Sequence, residues 1–176
     1  MFVRPSHWPS PFPHDDAILL KGEIERLGAK TILEFGPGES TAFFSGLGYE
    51  IATCEHDPHW HQVAVDRFKD NPKVRVFKYE NEMPIPPIEG LAGRFDVGFV
   101  DTPQGYMAAR KVLKGYEDCN RLNTALYALK HCDSIFLHDV ARPLERCTLE
   151  RLNREGFRFQ IIEGKVARIW HQRKPT

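Results

Sequence analysis

Thr31-Ile-Leu-Glu-Phe-Gly-Pro-Gly-Glu-Ser-Thr41 joins a short apolar run to a glycine turn and then to residues that open a helix. The run Thr31–Phe35 is short, apolar and bounded by turn residues, which predicts a buried strand. Gly36-Pro37-Gly38 ends it. A helix starting near Ser40 would then leave free backbone N–H groups beside any ligand lying over the turn, and the glycines would let that ligand come close.

The same alternation continues downstream. Apolar runs at Glu50–Cys54, Val74–Tyr79, Phe95–Val100 and Ser134–Leu137 predict further strands. Between them, helical character falls on Ser40–Leu47, His59–Asp70, Tyr106–His131 and Leu144–Arg154, with an earlier helix starting at Asp15 or Asp16 and ending at Gly28. Strand and helix in regular turn imply a parallel sheet covered on both faces. The end of the chain departs from that rhythm. Phe157–Ile162 and Lys165–His171 flank Glu163-Gly164, a hairpin signal that makes the last two strands antiparallel neighbours. The expected fold is therefore α/β, Rossmann-like and doubly wound: a mostly parallel seven-stranded sheet with an antiparallel C-terminal hairpin.

With 176 residues the chain has enough length for one sizeable core. Residues 1–14 read as a proline-rich arm, with prolines at 5, 9, 11 and 13 around Trp8 and Phe12, and 15–176 as a single domain. Twenty-four basic and 24 acidic residues cancel, so no long-range field would gather nucleic acid or an anionic lipid surface. Neither partner is expected. No apolar run reaches the length of a membrane span and the N-terminus lacks the apolar stretch of a signal peptide, so the expected location is cytoplasmic. Cys54, Cys119, Cys132 and Cys147 form no Cys-x-x-Cys pair and read as ordinary thiols of a reducing compartment. Nothing in the apolar pattern separates an interface from a core, which leaves the oligomeric state open.

Glu55 follows the second strand, 19 residues after Gly36, where a carboxylate can accept hydrogen bonds from a ribose diol. A dinucleotide fingerprint would need a third glycine at position 41, which is Thr41, and no Gly-Lys-Ser/Thr phosphate loop occurs. An NAD(P)-binding oxidoreductase is thus the weaker reading, as is a regulatory domain that kept the pocket without the chemistry. Glu55-His-Asp-Pro-His-Trp-His61 contains metal-ligand residue types, but His59 and His61 lie two apart at a helix start and point apart, while Asp57-Pro58 suits a helix start.

Glu34-Phe-Gly-Pro-Gly-Glu-Ser-Thr41 resembles the first motif of the class I S-adenosylmethionine-dependent methyltransferases. Cys54-Glu-His-Asp57 resembles that family's second-strand acid, Phe95-Asp-Val-Gly-Phe-Val-Asp101 its fourth strand and Ser134-Ile-Phe-Leu-His-Asp139 its fifth. The terminal hairpin resembles the family's antiparallel seventh strand beside the fifth. The resemblance implies S-adenosylmethionine as cofactor. Glu34, Gly36, Pro37 and Gly38 would form the motif under its amino-acid part, Ser40 and Thr41 would bind its carboxylate, Glu55 with His56 would hold the ribose, and Glu80-Asn81 would border the adenine.

The small-molecule or sugar O-methyltransferase branch is the nearest likeness, through Val100-Asp101-Thr-Pro-Gln-Gly105 and His138-Asp-Val-Ala-Arg142. Methyl transfer to oxygen needs an in-line acceptor and a base or metal, and Asp101, His138 and Asp139 at two strand ends are the candidates. Asp101 and Asp139 also resemble the magnesium-holding aspartates of catechol-type enzymes. The asparagine expected next is Val140, which makes a divalent metal the lesser expectation. Arg121 and Arg142 are expected to clamp an anionic small-molecule substrate, since a guanidinium matches carboxylate or phosphate geometry.

Overall fold

The computed structural model describes residues 12–102 and 121–172. Helix α1 spans His14–Arg26, β1 Thr31–Phe35, α2 Glu39–Gly46, β2 Glu50–Glu55, α3 Pro58–Phe68, β3 Val74–Lys78 and β4 Val97–Val100. Helix α4 follows at Leu122–His131, then β5 Ser134–Leu137, α5 Pro143–Arg154, β6 Phe157–Ile162 and β7 Val166–His171. The strands form one sheet in the order β3-β2-β1-β4-β5-β7-β6. The first five run parallel, β7 pairs antiparallel with β5, and β6 pairs antiparallel with β7.

Two apolar layers follow from the strand period of two. On one face Ile32, Ile51, Val97, Phe99 and Phe136 pack under Leu20 and Ile24 of α1 and Phe44 of α2. On the other, Leu33, Phe35, Val100, Ile135 and Leu137 pack under Leu122, Ala125 and Ala128 of α4 and Leu149 and Leu152 of α5. Strand residues alternate between the two sets, so a shift of one residue in register would exchange the faces.

Several boundaries differ from the sequence reading for identifiable reasons. Helix α1 starts at His14 instead of at Asp15 or Asp16 because Pro13 supplies its cap position and its carbonyl accepts the Ala17 amide. The fourth strand loses its first two residues. Asp96 turns its carboxylate to the backbone amides of Lys30 and Thr31, at 2.7 and 2.9 Å, and Phe95 makes a single parallel bridge to Cys132. Of the helix expected over Tyr106–His131, residues 121–131 fall within the described residues, and Leu122–His131 is helical; residues 106–120, Cys119 among them, and the arm up to Pro11 lie outside them. The hairpin turn places Glu163 and Gly164 at φ of 47° and 75°, the left-handed pair that matches the twist of the flanking strands.

Gly98 sits at the middle of the sheet, where α4 crosses closely. A Cβ there would lie 2.7 Å from Ile135 Cγ2 and 3.4 Å from Ala128 Cβ. Gly98→Ala is expected to lower stability by about 1–3 kcal/mol, as overpacking of a tight core does; an unchanged urea midpoint would contradict the close approach.

Candidate functional site at the strand ends

Because β1, β2, β4 and β5 are parallel, their carboxyl ends open on the same edge of the sheet, the usual ligand side of such folds. A cavity of about 340 Å³ lies there, within the range of small-ligand sites. Gly36, Pro37, Gly38, Glu39 and Ser40 form one wall, Glu55, His56, Asp57 and Trp60 a second, and Asp101, Thr102, His138, Asp139 and Arg142 a third, with Phe12 and Pro13 over them.

The glycine turn is shaped by a buried carboxylate. Glu34, 1% exposed at the end of β1, accepts the Ser40 hydroxyl at 2.6 Å on one oxygen and the Thr41 hydroxyl at 2.5 Å on the other, and Thr41 Oγ1 in turn accepts the Gly38 amide at 2.9 Å. The strand end is thereby tied to the first turn of α2. Gly36 adopts φ 101°, and a Cβ on it would meet Thr102 Cβ at 3.0 Å; this position excludes other residues on both counts. These contacts turn the polar side chains of the motif toward one another. Glu34 and Thr41 are outside the cavity wall, and the hydroxyls of Ser40 and Thr41 point inward to Glu34. What the turn presents to the cavity is backbone: the first amides of α2 precede its internal hydrogen-bond ladder, which starts with Ala42 to Gly38.

Glu55 lies at the end of β2, 6% exposed. Its Oε1 accepts the amides of His56 and Asp57, both at 2.8 Å, and lies 2.9 Å from His56 Nδ1. Among the described residues no donor reaches Oε2. Asp57 is turned to the start of α3, where its Oδ1 accepts the His59 and Trp60 amides. Glu80 and Asn81 do not line the cavity; the Asn81 side chain is hydrogen-bonded to Asn123 of α4.

The third wall is ionic. His138 Nδ1 stands 3.1 Å from Asp101 Oδ1 and Nε2 stands 3.0 Å from Asp16 Oδ2. A carboxylate at each ring nitrogen favours the protonated imidazole, which can donate on both sides. Burial pushes the imidazole pKa down, but the hydrogen bond and charge of Asp101, with Asp16 and Asp139, outweigh it and raise the value above the ordinary one. For Asp101, burial pushes up, yet the His138 hydrogen bond and the Arg121 and Arg142 charges hold it below the ordinary carboxylate. His138 is thus held between the carboxylates of Asp101 and Asp16.

Arg121 is entirely buried behind that wall. Its Nη1 donates to the His138 carbonyl at 2.8 Å, and Nη2 lies 3.2 Å from Asp101 Oδ1, 3.6 Å from Glu145 Oε1 and 3.7 Å from Asp139 Oδ2. The Arg121 guanidinium is engaged by these three carboxylates and is not among the residues that line the cavity. Arg142 does line the cavity, with Nη1 2.8 Å from Asp139 Oδ2. Asp139 has φ 60°, a conformation that costs a non-glycine residue free energy and concentrates at functional sites.

One contributor escaped the sequence reading. Asp16 read as an acidic residue in the first turn of a helix, where such residues are common, and nothing local signals a partner 122 positions away. Phe12, from the proline-rich arm, packs against Phe44, Phe99 and His138 at ring-centroid distances of 6.3, 5.8 and 5.7 Å while lining the cavity.

No family model matches the chain, and no curated protein matches it in sequence. Solved structures do share its fold. The glycopeptide N-methyltransferase MtfA in complex with S-adenosylmethionine superposes with a TM-score of 0.63 at 12% identity, over 89% of this chain and 87% of that one. Precorrin-6y C5,15-methyltransferase from Geobacter metallireducens gives 0.61 at 14%, over 96% and 93%. The O-methyltransferase from Bacillus cereus, in complex with S-adenosylhomocysteine, gives 0.57 at 18%, over 96% and 84%. The chain has the Rossmann-like fold of the class I methyltransferases, including its antiparallel β7.

Burial pushes the Glu34 pKa from the ordinary 4.5 up to about 7, against the hydroxyl hydrogen bonds that lower it. The folded state then holds this proton more tightly than the unfolded one. The corresponding stability is fully present below about pH 4.5 and is lost as pH rises to about 7. Across that window wild type should lose roughly 3 kcal/mol relative to Glu34→Gln, which cannot titrate; parallel pH curves of the urea midpoint would refute the buried, proton-binding Glu34.

Proposed function

We propose that this protein is an S-adenosylmethionine-dependent methyltransferase acting on a small-molecule acceptor, with oxygen as the acceptor atom. The observation that supports this best is the division of one cavity into two chemically different halves. One half offers the α2 amides and the Glu55 carboxylate, and the other offers Asp101 and Asp139.

The first half fits the cofactor by its donors and acceptors. Amides at the start of α2 suit a carboxylate, and Glu55 Oε2 suits a ribose diol. The Ser40 and Thr41 hydroxyls are replaced in that role by backbone, with Glu34 acting as the residue that shapes the turn. Once bound, the cofactor supplies an electrophilic methyl group on a sulfonium. Everything else falls to the protein.

The second half holds and deprotonates the acceptor. A hydroxyl facing Asp101 or Asp139 passes its proton to a carboxylate as oxygen takes the methyl, and general bases in such positions contribute about 10²–10⁴ in rate. Asp101 stays ionised because His138 and Arg121 face it. Phe12 and Trp60 give the walls apolar area that keeps water from the acceptor.

A divalent metal fits less well. Donor atoms of Asp101, His138 and Asp139 come within 4.8 Å of one another, but Nδ1 of His138 carries a proton toward Asp101. The Arg121 guanidinium already brings a positive charge to both aspartates, so no metal step is assigned. The structural neighbours include a glycopeptide N-methyltransferase and a precorrin methyltransferase, so the shared fold names no acceptor. The oxygen assignment rests on the two aspartates.

Calorimetry with S-adenosylhomocysteine and with NAD(P)H tests the cofactor. Wild type should bind S-adenosylhomocysteine alone, and Glu55→Ala should weaken that binding by about 1.5–3 kcal/mol, the value of hydrogen bonds to a charged group. Unchanged affinity in Glu55→Ala would remove the ribose assignment. Binding of NAD(P)H in place of S-adenosylhomocysteine would point to an oxidoreductase, and cofactor binding without turnover on an acceptor panel to a regulatory domain.

A further inference from the structure

We propose that Asp16 is a positioning residue of the transfer site, holding His138 and, through it, Asp101 in the orientation and charge state that face the acceptor. Its role in methyl transfer rests on the function proposed above; the ionic arrangement itself does not.

Asp16 lies on α1, 4% exposed, with Oδ2 3.0 Å from His138 Nε2 and Oδ1 3.2 Å from Lys165 Nζ. His138 Nδ1 then reaches Asp101. The imidazole is gripped at both ends, which fixes the ring plane as well as its protonation. Asp101 and Asp139 face it from the ends of β4 and β5, Arg121 and Arg142 face those aspartates, and Lys165 approaches from the hairpin, with Glu145 on the far side of Arg121. Four carboxylates thus meet four cations when His138 is protonated.

Without the Asp16 carboxylate, Nε2 would lose its partner beside the rings of Phe12 and Phe99, at centroid distances of 5.7 and 6.1 Å. Burial would favour the neutral ring. A neutral imidazole can turn an acceptor nitrogen toward Asp101, which then loses a donor in a site whose burial already favours its protonated form. Asp16 also anchors the helix that follows Phe12 and Pro13, two residues that cover the cavity.

The test follows the His138 ring nitrogens by NMR in ¹⁵N-histidine-labelled protein, the signal assigned by its loss in His138→Asn. In Asp16→Asn the ring should titrate at lower pH than in wild type. In Lys165→Gln, which removes a cation from the other side of Asp16, it should titrate at the same or higher pH. The exposed control Asp15→Asn should leave it unchanged. Asp16→Asn should also slow methyl transfer at neutral pH by at least about tenfold with S-adenosylhomocysteine affinity within about twofold, and Asp16→Glu should recover part of the rate.

Shifts in the same downward direction for Asp16→Asn and Lys165→Gln would mark a general loosening and overturn the proposal, as would no shift in Asp16→Asn. If Asp16→Asn does not fold, a downward shift in the half-exposed Lys165→Gln overturns it alone. A wild-type chain that binds no S-adenosylhomocysteine defeats the methyltransferase reading while the titration still decides the ionic arrangement.

Discussion

A guanidinium with no exposure to solvent links the ends of two neighbouring strands. Arg121 precedes α4, donates to the backbone of β5's terminus and draws Asp101, Asp139 and Glu145 toward one point. Burying carboxylates so close together is costly unless cations meet them. With Arg121 in place, both strand ends can carry aspartates into a cavity covered by Phe12 and Pro13. The charges on this wall are fixed by one another, so the wall is preorganised without any bound partner.

The opposite wall works by withholding charge. Among the described residues Glu34 is buried beside no cation, and two hydroxyls of α2 donate to it. That contact holds the turn in the shape that leaves backbone amides toward the cavity. The polar side chains of this segment serve the turn, and the turn serves the ligand. On the ionic side the order is reversed, and side chains themselves face the cavity.

The strands, their alternation with helices and the closing hairpin were legible in residues 31–171 because apolar period and turn chemistry are local signals, whereas the order of the strands came only with the structure. Gly164 shows this well, since a glycine readily takes the left-handed backbone that a two-residue hairpin turn requires. The cavity's backbone-facing wall was legible for the same reason. Side-chain roles were less so. Thr41 and Ser40 carry hydroxyls that suit a ligand carboxylate, and only the position of Glu34 decides that they turn inward. Arg121 is an arginine like any on a helix flank until three acids from β4, β5 and α5 surround it. Asp16 has the same difficulty: its local context explains it fully as a helix-start acid, while its partners lie on β5 and in the hairpin. Charges paired across long sequence distances leave no periodic trace.

The central place of β4 has a consequence for how the chain comes together. It pairs with β1 on one side and β5 on the other, and Asp96 at its base caps the backbone of Lys30, 66 positions earlier. Contacts of that span close late, because loop entropy opposes them until both partners exist. A ribosome delivering this chain therefore exposes one open edge of β1 throughout the synthesis of α2, β2, α3 and β3. The first half-sheet must stay free of other strands until Val97–Val100 arrives to cover it.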